Sequence, residues 1–266
     1  MKTKKQNPPK GGTLTEEQIE WLNECTRGTW KLNPQTGEVD VKGDFNCSEQ
    51  GLSDFKGVRF GVVKGDFDCG SNLLTSLVGA PQKVEGDFWC SYNHLTSLEG
   101  APREVGGGFY CHNNLLTSLV GAPQKVGGDF WCEDNQLTSL VGAPREVEWH
   151  FYCSDNRLTS LEGAPRKVGG SFACENNRLT SLEGAPQEVG CDFRCEDNPV
   201  PERTLKSIFS LMRKGASYEE VLRRKWKRYS HKTKSLLYRA EYQWIPQEEH
   251  KMLSALNKVN SVLNWI

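Results

Sequence analysis

The sequence predicts an α+β chain whose body is a parallel β-solenoid of about eight coils, 21 residues each. Three observations carry this expectation. Cysteines fall at 47, 69, 90, 111, 132, 153, 174 and 195, a first step of 22 residues and then steps of 21. Other columns keep the same register. Phe stands two places before each cysteine (Phe45, Phe67, Phe88, Phe109, Phe130, Phe151, Phe172, Phe193) and Val six before, from Val41 to Val189. Asn stands three after, from Asn72 to Asn198, and a Gly-Ala-Pro such as Gly100-Ala101-Pro102 closes the middle copies. Sustained periodicity of 20–50 residues is the signature of a repeat architecture, which buries its apolar faces between neighbours.

Each column has a physical reading. Alternate residues of a strand share a face, so Phe-x-Cys sends both side chains inward. The Val and the two Leu of each copy, such as Leu95 and Leu98, join them in the core. The Asn falls where the strand ends, and its amide can satisfy turn groups that would otherwise be buried without partners. Gly and Pro punctuate the return path.

The chain divides into four segments. Residues 1–12 read as a disordered basic arm, with no apolar stretch of the kind a secretory leader carries. Residues 13–43 read as an N-terminal cap, which a solenoid needs because its first coil would otherwise expose core. Within it, Thr15 and Gln18 have capping-box spacing, so a helix follows, with Ile19 and Leu22 facing the core. A hairpin turning at Asn33-Pro34-Gln35-Thr36-Gly37 completes the cap. Residues 44–200 are the solenoid. After Pro199 and Pro201 the period stops, and residues 201–266 read as a basic helical domain with Leu205, Ile208, Phe209 and Met212 at helical spacing.

The segment Phe88-x-Cys90-x-x-Asn93-x-Leu95-x-x-Leu98 resembles the core of leucine-rich repeats, with Phe and Cys in place of two Leu. The LTSL-x-G-A-P ending is similar to the short repeats of secreted bacterial effectors. The wording VDVKGDFNCSEQGLSDFKGVRFG, the GDFWC/LTSLxGAP units and the PERTLKSIFSLM tail together resemble leucine-rich-repeat-like proteins encoded by tailed phages. The resemblance implies a leucine-rich-repeat-like fold and a phage origin more than an activity. The catalytic cysteine domain of the effector ligases has no counterpart here.

Charge is unevenly spread. The whole chain carries a formal net charge of -1. Residues 44–198 hold 12 Lys and Arg against 22 Asp and Glu, whereas residues 199–266 hold 14 against 6. An acidic body thus precedes a basic end. No run of about 18 apolar residues exists, so no membrane partner is expected. A cytoplasmic protein in a reducing compartment fits the cysteine usage, the host cytoplasm if the origin is a phage.

Ten cysteines invite metal or disulfide readings. Zinc sites want paired Cys-x2-4-Cys units, and only Cys191-x3-Cys195 comes near, with no second pair. Stacked at one column, the eight would sit on neighbouring strands as a ladder of reduced, buried thiols. Cys25 and Cys191 lie outside that ladder. No motif implies a cofactor, and neither a nucleophile elbow, a phosphate-binding loop nor a zinc-protease signature occurs, so a non-enzymatic role is expected.

The residues between the inward columns should point outward. Just before each cysteine the series runs Asn46, Asp68, Trp89, Tyr110, Trp131, Tyr152, Ala173, Arg194. Four aromatics in succession therefore form an expected surface stripe. Asp87, Asp129 and His150 flank it on one side, and His112, Glu133, Tyr92 and Asp134 on the other. Aromatic stripes with an acidic border suit a partner with a basic surface, since Trp and Tyr are favoured anchors and acids steer cations. Alternatively the stripe stabilises the sheet by cross-strand pairing, or receives the chain's own basic end. In that end, Arg223, Arg224, Lys225, Lys227 and Arg228 surround Trp226, a composition open to nucleic-acid binding, to a solvated helix face or to docking on acids.

The expected function is a non-enzymatic binding solenoid that modulates or inhibits a host defence or nucleic-acid-processing protein. The alternative is a structural or assembly protein whose basic tail docks nucleic acid or another subunit.

Overall fold

A computed structural model describes residues 13–180, 184–195 and 197–199. The expected basic arm at 1–12 and the helical domain at 201–266, with its basic run at 223–228, lie outside the described residues.

Helix α1 (Glu16–Cys25) opens with the capping box: the Thr15 hydroxyl accepts from the Gln18 N–H, and the Gln18 side chain accepts from the Thr15 N–H. Its buried face is Trp21, Leu22 and Cys25. Ile19, expected in the core, is 39% exposed. The larger apolar surface of Trp21 wins the inward position, and its ring meets Phe45 edge-on at 5.3 Å. Trp21 also donates through Nε1 to Gln50, whose amide reaches the Cys25 thiol. The helix thereby closes the first end of the core.

Strand β1 (Thr26–Leu32) pairs antiparallel with β2 (Val39–Asn46) across the turn at 33–37. The copy at Val41–Cys47, expected as the first coil, therefore belongs to this hairpin as well. Beyond it lies a parallel β-solenoid of about seven turns with 21-residue spacing.

Each turn contributes two short strands rather than the single one expected. They are β3 (Phe60–Val63) and β4 (Phe67–Asp68), β5 (Lys83–Val84) and β6 (Phe88–Trp89), β7 (Glu104–Val105) and β8 (Phe109–Tyr110), and β9 (Lys125–Val126) and β10 (Phe130–Trp131). The series continues with β11 (Glu146–Val147) and β12 (Phe151–Tyr152), β13 (Lys167–Val168) and β14 (Phe172–Ala173), and β15 (Glu188–Val189) and β16 (Phe193–Arg194). The even-numbered strands form an unbroken parallel ladder that the long β2 joins to the odd-numbered one.

Three side-chain stacks hold the turns together. The buried Phe rings lie face to face, with centroids 5.1–5.6 Å apart from Phe67 to Phe193. The thiols from Cys47 to Cys174 are fully buried and form no disulfide. Burial pushes those from Cys47 to Cys153 up, so they stay protonated. Cys25 is buried in the cap, and Cys191 is exposed.

The buried Asn column forms the third stack. Asn93 accepts from the Leu74 N–H at 2.9 Å and donates to the Cys69 carbonyl at 3.0 Å, both in the preceding turn. Asn114, Asn135, Asn156 and Asn177 repeat both bonds. The residue before each Asn takes a positive φ of 51–55°, as at Tyr92, Asp134 and Asp155. That left-handed step turns the chain out of the strand.

The odd-numbered ladder breaks once. Strands β11, β13 and β15 form a separate sheet, not hydrogen-bonded to β9. The two positions after each Val explain this. At Gly128 a Cβ would come 2.7 Å from the Gly108 backbone nitrogen in the preceding turn, so the turns are close-packed there. One side chain is accommodated where its neighbour is Gly, as at Glu85–Gly86 and Gly190–Cys191, and the ladder bonds persist. Glu148–Trp149 carries side chains at both positions, and there the ladder bonds are absent. The even-numbered ladder continues past the seam, through Phe130 N–H to the His150 carbonyl and Cys132 N–H to the Tyr152 carbonyl, each 2.8 Å.

Candidate functional site

The even-numbered strands bring Trp89, Tyr110, Trp131 and Tyr152 into one line, because parallel pairing in register places equivalent residues side by side. Trp89 and Tyr110 stack at 3.7 Å, Tyr110 meets Trp131 edge-on at 5.1 Å, and Trp131 stacks on Tyr152 at 5.6 Å. The expectation of four exposed rings needs amending. Trp89, Trp131 and Tyr152 are half-buried, and Tyr110 is 8% exposed. Tyr110 folds back over Gly108, where any side chain would collide with its phenol. Its hydroxyl is pushed up to about 12, chiefly by burial and further by Asp87 and Asp129, so it remains neutral.

The column of Asp87, Asp129 and His150 has a use inside the stack. Asp87 accepts from the Gly108 N–H at 2.6 Å, Asp129 from the His150 N–H at 2.9 Å, and His150 Nδ1 from the Ser171 N–H at 2.8 Å. Asp44, Asp66 and Ser171 do the same in their turns. These groups zip one turn to the next, like a side-chain edge to the ladder. His150 also lies 5.5 Å from Tyr152 and 6.4 Å from Trp149.

The opposite border is different. His112 and Glu133 occupy the same column in adjacent turns, beside the Trp131 ring, which is 5.7 Å from His112. His112 Nδ1, Trp131 Nε1 and Glu133 Oε2 are all shielded from solvent, and none has a hydrogen-bond partner within the chain. Buried polar atoms without partners are costly, and three of them fall along this border. Tyr92 is 57% exposed and sits edge-on to His112 at 5.4 Å; Asp134 is exposed beside Glu133.

Electrostatics agree with the geometry. Burial raises the Glu133 carboxyl to about 7; its own backbone N–H and, least of all, Arg194 oppose this, while Asp134 and Asp155 add to it. Burial lowers His112, with Asp134 acting against the shift. Both groups therefore favour their neutral forms more than they would in water.

The folded pKa of Glu133 exceeds the ordinary 4.5, so the stability it contributes is complete below 4.5 and is lost as pH rises through 7. Such a shift implies roughly 3 kcal/mol, discounted to about 1–2 kcal/mol because solvent screens a partly exposed carboxylate. Glu133→Gln should therefore gain about 1–2 kcal/mol over wild type at pH 8 and little at pH 4. Urea denaturation of both proteins at the two pH values checks this, and the same difference at both would refute it.

Two features escaped the sequence reading. Trp149 is 61% exposed, in a column that is otherwise mostly Gly, and its signal was an aromatic among glycines. The second is a completed polar cluster further along: Arg194 Nε lies 3.2 Å from Glu175, Ser154 donates to Glu175 at 2.6 Å, and the guanidinium sits over Tyr152 at 5.4 Å. The small Ala173 between Tyr152 and Arg194 permits that reach.

Among the described residues no His, Cys, Asp or Glu group is arranged to hold a metal ion, and no helix is long and apolar enough to cross a membrane. No known family model matches the chain, and no curated protein matches it.

Proposed function

We propose that this chain is a non-enzymatic, leucine-rich-repeat-like binding solenoid, encoded by a phage. It engages a host protein with a basic surface through the face built on Trp89, Tyr110, Trp131 and Tyr152, and modulates or inhibits a defence or nucleic-acid-processing activity. The supporting observation is the aromatic line, three rings half-buried and Tyr110 buried, together with three solvent-shielded polar atoms on it and beside it that lack partners. The inward core columns of Phe, Cys, Val and Leu are filled without either feature. Acids that are not consumed by the turn-to-turn zipper, Glu133 and Asp134 above all, supply the complement to a basic partner. The origin and the class of host target rest on the sequence resemblance.

The double substitution Trp89→Ala with Trp131→Ala should reduce capture of the host protein by at least about 100-fold, as loss of two aromatic anchors would. Affinity capture from bacterial lysate, with circular dichroism to confirm that the variant keeps its β content, reads the effect. Equal capture by a folded double variant would remove the face from consideration.

A further inference from the structure

The chain contains its own template for what Glu133 lacks. At Glu175, an aromatic ring stands one turn before the acid (Tyr152) and a guanidinium one turn after (Arg194). Glu133 occupies the same column two turns earlier. Tyr110 stands one turn before it, but the place one turn after is held by Tyr152, not by an arginine. The arrangement recurs with Trp131 in the place of Ala173 and without its cation. Glu133 Oε2 is left shielded and unpartnered, with His112 Nδ1 and Trp131 Nε1 in the same state beside it. Asp134 and Asp155 add negative potential, Arg194 is paired with Glu175 and is the weakest influence on Glu133, and no Lys or Arg forms an ion pair with Glu133 among the described residues.

We propose that Glu133, His112 and Trp131 form a socket for one arginine side chain of the bound partner, which does from outside what Arg194 does from within at Glu175. This rests on the reading that the strand face binds a protein. Arginine fits better than lysine. A planar guanidinium can donate to a carboxylate and to a second acceptor while its face lies on an aromatic ring. Glu133 Oε2 and His112 Nδ1 are those acceptors, and Trp131 offers the ring. The Trp131 indole N–H then takes a backbone carbonyl of the same partner segment. Rotation of the exposed Tyr92 ring away from His112 opens the way in.

The test uses the full chain and three capped peptides, Gly-Arg-Gly and its lysine and citrulline counterparts. Citrulline keeps the shape of arginine and removes the charge. The readout is the indole Nε1–H resonance of Trp131, assigned by its loss in Trp131→Phe. The arginine peptide should shift this resonance and bind about tenfold tighter than the citrulline peptide, the ratio expected of a charge-assisted pair. Glu133→Gln should erase that ratio. Equal binding of arginine and citrulline peptides, or a ratio that survives in Glu133→Gln, overturns the socket. Binding that emerges only when Arg223, Arg224, Lys225, Lys227 and Arg228 are all replaced by Gln overturns it too, since the socket then serves the chain's own basic run. None of these failures touches the aromatic anchors, which stand or fall on the double tryptophan substitution.

Discussion

Phe130→Ala is expected to cost about 3–5 kcal/mol of stability, the range for a fully buried phenylalanine replaced by alanine. Phe130 has no solvent exposure and lies between Phe109 at 5.3 Å and Phe151 at 5.1 Å. In a compact core, neighbours relax into part of such a cavity. Here they cannot do so freely, because the hydrogen-bonded ladder fixes the spacing between turns at about 4.8 Å. The loss should therefore fall at the upper end of the range. Phe130→Leu keeps most of the volume and should cost less than about 1.5 kcal/mol. Urea denaturation followed by far-UV circular dichroism compares the two. A cost below about 1.5 kcal/mol for the alanine variant would show that the Phe stack is not the principal core.

Asn135→Ala should cost about 2–4 kcal/mol through a different mechanism. One buried amide makes four bonds: it accepts from the Leu116 N–H at 2.9 Å and donates to the carbonyls of Cys111, Cys132 and Glu133 at 3.1–3.3 Å. Removing it strands a backbone donor where water does not reach, and each such group costs about 1–3 kcal/mol. Asn135→Asp separates the contributions, since it keeps an acceptor for Leu116 but loses both amide hydrogens and buries a charge. It should be at least as damaging at pH 7 and should recover partly in acid, when the carboxyl is protonated. Denaturation at pH 4 and pH 7 measures both. A stability loss under about 1 kcal/mol for the alanine variant would mean that water replaces the amide.

The features legible in the sequence are those that repeat. Phe, Cys, Val and Asn recur at one register because every turn imposes the same environment on them, so even their burial could be read from spacing. The capping box at Thr15 and Gln18 was equally legible, being a local exchange of two hydrogen bonds. What could not be read depends on pairs of residues in different columns or turns. Tyr110 is buried because Gly108 leaves space for its ring, whereas Trp89 beside Asp87 is not folded back in this way. Asp87 and Asp129 present as surface acids until the N–H of the next turn is placed against them. From β5 to β15 each odd-numbered strand contains one Val and one charged residue, too little for any alternation to show. The Val41 copy matches the repeat, yet the strand that bears it also pairs backwards with β1.

The seam at Glu148–Trp149 makes the solenoid unequal along its length. In a stack whose turns touch only their neighbours, the free energy of unfolding is set turn by turn and by the coupling between them. One strand ladder of that coupling is missing between β9 and β11, so the coupling across this step is left to the even-numbered ladder and to the Phe and Asn stacks. Trp131 stands on one side of the step and Tyr152 on the other. A partner bound to both rings would bridge a step at which the backbone supplies only one ladder.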